Sequence, residues 1–381
     1  MRNLKKLEDF IAFENEQRLW DETFFGVPLW YYVRARCFSD RKYPSPKYNK
    51  PSILGVVISF LYAIKLFFSR DINVYFIFNR REVLNYIENS CSKEDLVFLY
   101  TEFGTSTAFA TNLKYVSCDF FNILRFIFRK LTWVAYRKEL KRITAFFSEI
   151  PFYIGEDEAK SLAKLVIGEV VFNKFLSFFT KKCKIYYSGA IIPSAEKFMN
   201  LHNSSELQHG VIHSEHFDYS NVPSVRNRLI VHNKAYLKLL TNLSFSGVVE
   251  TGDFEKEAIL SFNSYNVVIF TQPAKEFEHF INNIPKKFFY EMGVYIQKHP
   301  RDYNSYQIPE DRFVYVEDVS CVNFPVLFSS SVIEKFCKVN KKVYIIELKI
   351  RGSKVQGMLD VYRALYPDFD YDIIENIGDL R

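Results

Sequence analysis

The stretch Asn266-Val267-Val268-Ile269-Phe270-Thr271-Gln272-Pro273 decides the reading of the fold. Its β-branched and aromatic run is of strand length and carries no charge. It stops at polar residues before a proline, which cannot continue a sheet ladder. A helical stretch follows from Lys275 to about Glu291, and then a second run, Val294-Tyr295-Ile296-Gln297, stops at Lys298-His299-Pro300. Strands that are apolar throughout, separated by helices, belong to a parallel sheet covered on both faces. Reading downstream, strands are expected at Phe313–Val316, Val326–Phe328 and Val343–Ile346, and helices at Val332–Lys338 and Met358–Leu365. Reading upstream, strands are expected at Val74–Phe78, Leu96–Tyr100, Ile185–Tyr187, around Leu207, Leu229–Val231 and Val248–Val249. Helices such as Glu156–Thr180 and Ala195–Leu201 lie between them. The fold class is therefore α/β, with two Rossmann-like domains facing a cleft, at 71–255 and 256–381, after a mostly helical segment at 1–70. No internal repeat of the solenoid kind is visible.

Composition bounds the function. With 381 residues, 48% hydrophobic and 25% charged, the chain can build real cores and is not disordered. The 50 basic and 44 acidic residues leave a net charge of +6, a mild excess that suits phosphorylated ligands or anionic membranes. No recognised nucleic-acid module and no RNP-like aromatic pattern is present, so nucleic acid is not expected as a partner. The cysteines (37, 91, 118, 183, 321 and 337) form no CxxC pair, which argues against a zinc ribbon and fits a reducing compartment. The segment Met1–Phe13 does not resemble a signal peptide, and the expected location is the cytoplasm.

Two segments raise the question of a membrane. Ile53–Ser69 is almost wholly apolar, with Lys65 its only charge, and reads either as a packed helix or as a span. Asn122–Phe147 interleaves seven bases with bulky aromatics against the single acid Glu139, which fits either an interfacial helix on an anionic bilayer or a solvated basic face. Both readings allow a protein peripheral to the inner face of the cell membrane.

The candidate site residues cluster at strand ends, where ligands of open α/β sheets bind. His299-Pro300 follows one strand. Ser329-Ser330-Ser331 follows another and opens a helix, offering hydroxyls, free N–H groups and the positive dipole end to a phosphate. Lys298 and Arg301 flank the histidine and add charge-assisted contacts. A third place is Glu206-Leu207-Gln208-His209-Gly210, followed by His213, His216 and Asp218; four of the seven histidines fall between 202 and 216. Three accounts stand: zinc on His209, His213 and His216; a histidine acting as general acid–base beside Glu206, Glu215 or Asp218; or polar loop histidines satisfied by neighbours. Gly210 allows a tight turn with close ligand approach. Glu102, in the polar loop after Leu96–Tyr100, ends another strand. No P-loop, GxGxxG or GxSxG pattern is present.

At these residues the chain resembles bacterial surface-polysaccharide glycosyltransferases of the two-Rossmann architecture called GT-B. The nearest likeness is to capsule and lipopolysaccharide enzymes using CMP-activated sialic acid or Kdo-type sugars. Their His-Pro and Ser-Ser motifs are matched by His299-Pro300 and Ser329-Ser330, and Gln208-His209-Gly210 looks like a QHG element of such proteins. An HG element also occurs in teichoic-acid glycerophosphotransferases. The resemblance implies a glycosyltransferase with Lys298, His299, Pro300, Ser329, Ser330, Ser331 and Thr271 binding the donor nucleotide. Gln208, Gly210, His213 and His216 would lie on the acceptor side. The acidic-acidic-glycine triplet that supplies the base in such sialyltransferases is absent, which leaves His209, Glu206 or Glu102 for that role. No metal or other cofactor is expected beyond the CMP-sugar donor. The implied partners are that nucleotide-sugar donor, a lipid-linked or oligosaccharide acceptor and the anionic inner-membrane surface. Two alternatives are a polyol-phosphate transferase using a CDP-polyol and a non-catalytic membrane-associated scaffold.

Overall fold

The computed structural model describes residues 7–34, 37, 51–78, 81–100, 115–150, 154–188, 195–201, 203–208, 210, 212, 216, 218–254, 264–272, 274–299, 302–316, 318–328, 332–348 and 355–380. The chain divides into two compact units, the first made of 1–209 and 216–255, the second of 210–215 and 256–381.

The first unit opens with a helix, α1 (Leu7–Glu16), and a two-residue hairpin, β1 (Thr23–Phe24) and β2 (Val27–Pro28). The hairpin turn places Phe25 at φ 53° and Gly26 at φ 79°, the twist that suits so short a connection. After α2 (Ile53–Phe68) come β3 (Asn73–Phe78), α3 (Arg81–Ser90), β4 (Leu96–Tyr100), β5 (Tyr115–Ser117), α4 (Asp119–Leu131), α5 (Arg137–Glu149) and α6 (Glu156–Thr180). They are followed by β6 (Lys184–Tyr187), α7 (Ala195–Met199), β7 (Ser205–Leu207), β8 (Arg228–Val231), α8 (Ala235–Asn242) and β9 (Val248–Thr251). Seven strands form one sheet in the order β5-β4-β3-β6-β7-β8-β9, and every pairing is parallel. The order reverses direction between β3 and β6, as in a doubly wound nucleotide-binding sheet.

The second unit holds β10 (Tyr265–Phe270), α9 (Lys275–Asn282), α10 (Lys286–Glu291), β11 (Val294–Gln297), β12 (Val322–Leu327), α11 (Val332–Lys338), β13 (Val343–Ile346), α12 (Val355–Leu365) and β14 (Tyr371–Ile374). Its five strands run in the order β11-β10-β12-β13-β14, again all parallel. The strand β10 lies inside this sheet, paired on both sides: Val267 faces Val294 on one side and Phe324 on the other. Its side chains alternate between two cores, Val268 and Phe270 joining Phe336 and Tyr362, and Val267 and Ile269 joining Phe277 and Ile281. Burial on both faces is why Val267–Phe270 carries no polar residue. The two Rossmann-like units of the α/β fold are thus present.

Several local expectations need correction. The single helix over 275–291 is two, because Pro285 has no N–H and caps a fresh start instead. Phe313–Val316 is not a strand; only Phe313 makes a parallel bridge, to Ile296. The short edge strands β5 and β14 escaped notice, one being three residues long and the other carrying Asp372. Asn122–Phe147 is not one continuous helix but spans α4 and α5, separated by a 3-10 turn at Thr132–Val134. Two of its bases turn inward, Arg125 and Arg129 both donating to the buried carboxylate of Glu169. Ile53–Phe68 is a 16-residue helix capped by Ser52, which accepts from the Gly55 N–H at 2.9 Å. No helix among the described residues is long and apolar enough to cross a membrane.

Candidate functional site

In the second unit the sheet's switch point lies between β10 and β12, so the residues leaving the carboxyl ends of β10, β11 and β12 are its candidate ligand edge. Thr271 directly follows β10, and Lys298 and His299 directly follow β11. Ser329, Ser330 and Ser331 follow the end of β12 but, like Pro300 and Arg301, lie outside the described residues.

A hydrogen-bonded knot organises this edge. The buried Thr271 hydroxyl donates to Asp302 Oδ2 and accepts from the backbone N–H of His299 at 3.1 Å. Tyr306 donates its phenol to the same Asp302 oxygen at 2.5 Å, and the Asn304 N–H donates to the other oxygen at 3.0 Å. The Asp302 N–H returns to the His299 carbonyl at 2.8 Å. Lys298 Nζ donates to the Asn304 carbonyl at 2.7 Å and lies 5.1 Å from the Tyr306 ring centre. Burial, reinforced by the hydrogen bond to Asp302, pushes the Tyr306 hydroxyl well above its ordinary range, so it remains a donor. A buried carboxylate held by this set of donors fixes the turn that carries His299. Asp302 and Tyr306 were not singled out from sequence, although an Asp three residues past a strand-end histidine is a turn-forming signal.

In the first unit Glu206 lies in β7 and is buried. It accepts from the Tyr219 phenol at 2.8 Å and pairs with the buried Lys197 at 3.3 Å. Lys197 also donates to the Asp218 carbonyl at 3.1 Å and sits 4.8 Å from the Tyr219 ring centre and 5.5 Å from that of Tyr31. Tyr31 donates to Asp218 Oδ1 at 3.2 Å. Burial, then the Asp218 and Glu206 charges, raises the Tyr31 hydroxyl well above its usual range; burial, then Glu206 and Asp218, does the same for Tyr219. Both phenols therefore stay protonated donors. Glu206, committed to a lysine and a phenol, is placed to hold the chain around it. Tyr31, Lys197 and Tyr219 come from three distant segments, and no spacing in the sequence marks them.

Of the remaining residues predicted here, His209, His213 and Glu102 lie outside the described residues. Gln208 is buried and its Oε1 accepts the His232 N–H at 3.2 Å, tying β7 to the end of β8. His216 Nε2 is 3.7 Å from Asp218 Oδ2, and its ring stands edge-on to Tyr219 at 4.8 Å. Gly210 does not occupy the left-handed region, and among the described residues a Cβ there would meet nothing within 4 Å. Among the described residues, no group of three His, Cys, Asp or Glu side chains is gathered as for a metal.

A cavity of about 860 Å³ also lies in the second unit. It is lined by Lys275, His279, Phe280, Phe288, Leu348 and Asn376 among others, and none of the described site residues predicted from sequence is in that lining.

No known protein family matches the sequence, and no curated protein does. Similar solved structures include a complex of Staphylococcus aureus MnaA with UDP, at 12% identity and TM-score 0.39, covering 78% of this chain and 92% of that one. A UDP-N-acetylglucosamine 2-epimerase is 13% identical with TM-score 0.36, covering 79% and 93%. The Neisseria meningitidis UDP-GlcNAc 2-epimerase bound to UDP-GlcNAc is 12% identical with TM-score 0.36, covering 78% and 92%. The glycosyltransferase class expected from sequence is withdrawn: the two neighbours whose names give an activity are UDP-GlcNAc 2-epimerases, and no glycosyltransferase stands among those named here.

Proposed function

We propose that this protein binds a nucleotide-activated sugar, with the phosphate held at the carboxyl edge of β10, β11 and β12. The observation that carries the reading is the knot around Asp302. It spends a buried carboxylate, a threonine and a tyrosine on fixing the turn of His299 beside the sheet's switch point. Such investment in a strand-end turn is the pattern of a preorganised ligand site. In this reading His299 and Ser329–Ser331 meet the phosphate directly, through side chains and N–H groups. Thr271 and Asp302 are positioning residues, since their polar atoms already serve the turn. In the first unit, Glu206, Lys197 and Tyr219 brace one another around the end of β7, and the nucleotide proposal does not rest on them.

A screen of CMP, CDP, UDP, GDP and UDP-N-acetylglucosamine against thermal unfolding tests this. A ligand that binds only the folded state at a hundredfold excess over its Kd contributes about 2.7 kcal/mol, which corresponds to a rise in Tm of roughly 5 °C or more. At least one nucleotide is expected to give such a rise. If none moves the transition at millimolar concentration, the proposal fails.

A further inference from the structure

Helix α2 is packed by one narrow stripe, Ser59, Ala63 and Leu66, the only buried residues along its 16. Everything around that stripe would ordinarily be polar. Here the outward arc is Ile53, Leu54, Val57, Leu61 and Phe68, with exposures of 86% for Ile53, 69% for Leu54 and 74% for Phe68. The surface continues across neighbouring helices. Phe60 meets Phe120 of α4 at 5.1 Å and Phe67 meets Phe178 of α6 at 5.3 Å. Phe126 and Leu131 of α4 stand 61% and 62% exposed, and Phe178 is 63% exposed. Monomeric soluble proteins rarely leave so continuous an apolar surface in water.

The charges at its borders identify the occupant. At the carboxyl end of α2 are the exposed cations Lys65, Arg70, Lys181 and Lys182, with Asp71 the adjacent acid. Beside Leu131 and Val134 are the exposed Lys130, Arg137, Lys138 and Lys141. The acid on that side, Glu139, is spent on Arg142 at 2.9 Å. An apolar strip flanked by cations complements a bilayer interface with anionic headgroups: the apolar side chains enter the acyl boundary while the cations meet the phosphates. Sixteen residues rise about 24 Å, short of the ~30 Å hydrocarbon core, so the helix lies in the interface and does not cross it. We infer that the surface built by α2, α4 and the end of α6 docks the protein on anionic lipid. The inference is independent of nucleotide binding.

Co-sedimentation of the full chain with phosphatidylcholine vesicles, with and without phosphatidylglycerol, tests it. Binding is expected to the anionic vesicles, weakening as salt rises. The double variant Leu54→Glu, Leu61→Glu should lose partitioning by about a hundredfold or more, since each buried leucine is worth roughly ten- to a hundredfold. Because both side chains are exposed, its melting temperature should not fall. Lys130→Glu with Lys138→Glu should reduce binding to anionic vesicles only. Wild-type protein left in the supernatant with phosphatidylglycerol vesicles overturns the inference, as does undiminished binding of the leucine variant. Light scattering covers the rival occupant: a stable dimer that the leucine variant converts to monomer, without vesicle binding, assigns the surface to a second copy of this chain.

Discussion

Glu169 shows how the basic character of this chain is divided between core and surface. The carboxylate is buried in α6, and Arg125 Nε lies 2.8 Å and Arg129 Nε 2.5 Å from Oε1. Burial alone would raise its pKa, but the two guanidinium charges outweigh that and hold it below its ordinary 4.5. A carboxyl depressed in the folded state contributes stability above its unfolded pKa and loses it as pH falls through the folded one. The urea midpoint should therefore drop below about pH 4.5, and part of that drop belongs to this group. Glu169→Gln leaves the buried Arg125 and the partly buried Arg129 without a counter-charge, which costs about 3–5 kcal/mol at neutral pH. The same variant should show a flatter acid limb than the wild type. Parallel acid limbs for the two proteins, measured by urea unfolding between neutral pH and acid, would refute the assignment. Nothing in the sequence distinguishes Arg125 and Arg129 from the solvated bases that follow them. Their inward direction is set by α4 meeting α6, and in the sequence Glu169 stands more than 35 residues away from either arginine.

At the level of elements, close packing of α4 on α6 depends on a glycine. A Cβ added at Gly168 would lie 2.5 Å from the Arg129 Cα and 2.8 Å from its backbone nitrogen. Backbone atoms cannot rotate away, so the helices must separate. Gly168→Ala should cost about 1–3 kcal/mol by overpacking, despite the better helix propensity of alanine. A stabilised variant in chemical denaturation contradicts that. Elements were legible where one physical signal dominated. Glu156–Thr180 and Val294–Gln297 were read with the bounds they have, one from sustained helical periodicity and the other from an uncharged apolar run closed by Lys298-His299-Pro300. The edge strands β5 and β14 left a weaker trace, the first being three residues long and the second carrying Asp372, because pairing on one side demands little of composition. The break at Pro285 was legible in principle and was overridden by the apolar spacing on either side.

For the whole molecule, two parallel sheets in one chain were legible from the alternation of strand and helix signals. The candidate site was legible only at the strand ends, because the topological rule names those positions before any contact is known. The sets around Asp302 and Glu206 join residues from separate segments by hydrogen bonding, which leaves no periodic trace in sequence. The central claim is that a nucleotide phosphate is recognised at the edge carrying His299. Calorimetric titration of the full chain with the stabilising nucleotide, for wild type and His299→Ala, tests it most directly. Losing one charge-assisted contact is worth about 1.5–3 kcal/mol, so the variant's Kd should weaken at least roughly tenfold with no change in Tm. An unchanged Kd in the His299→Ala protein contradicts the account.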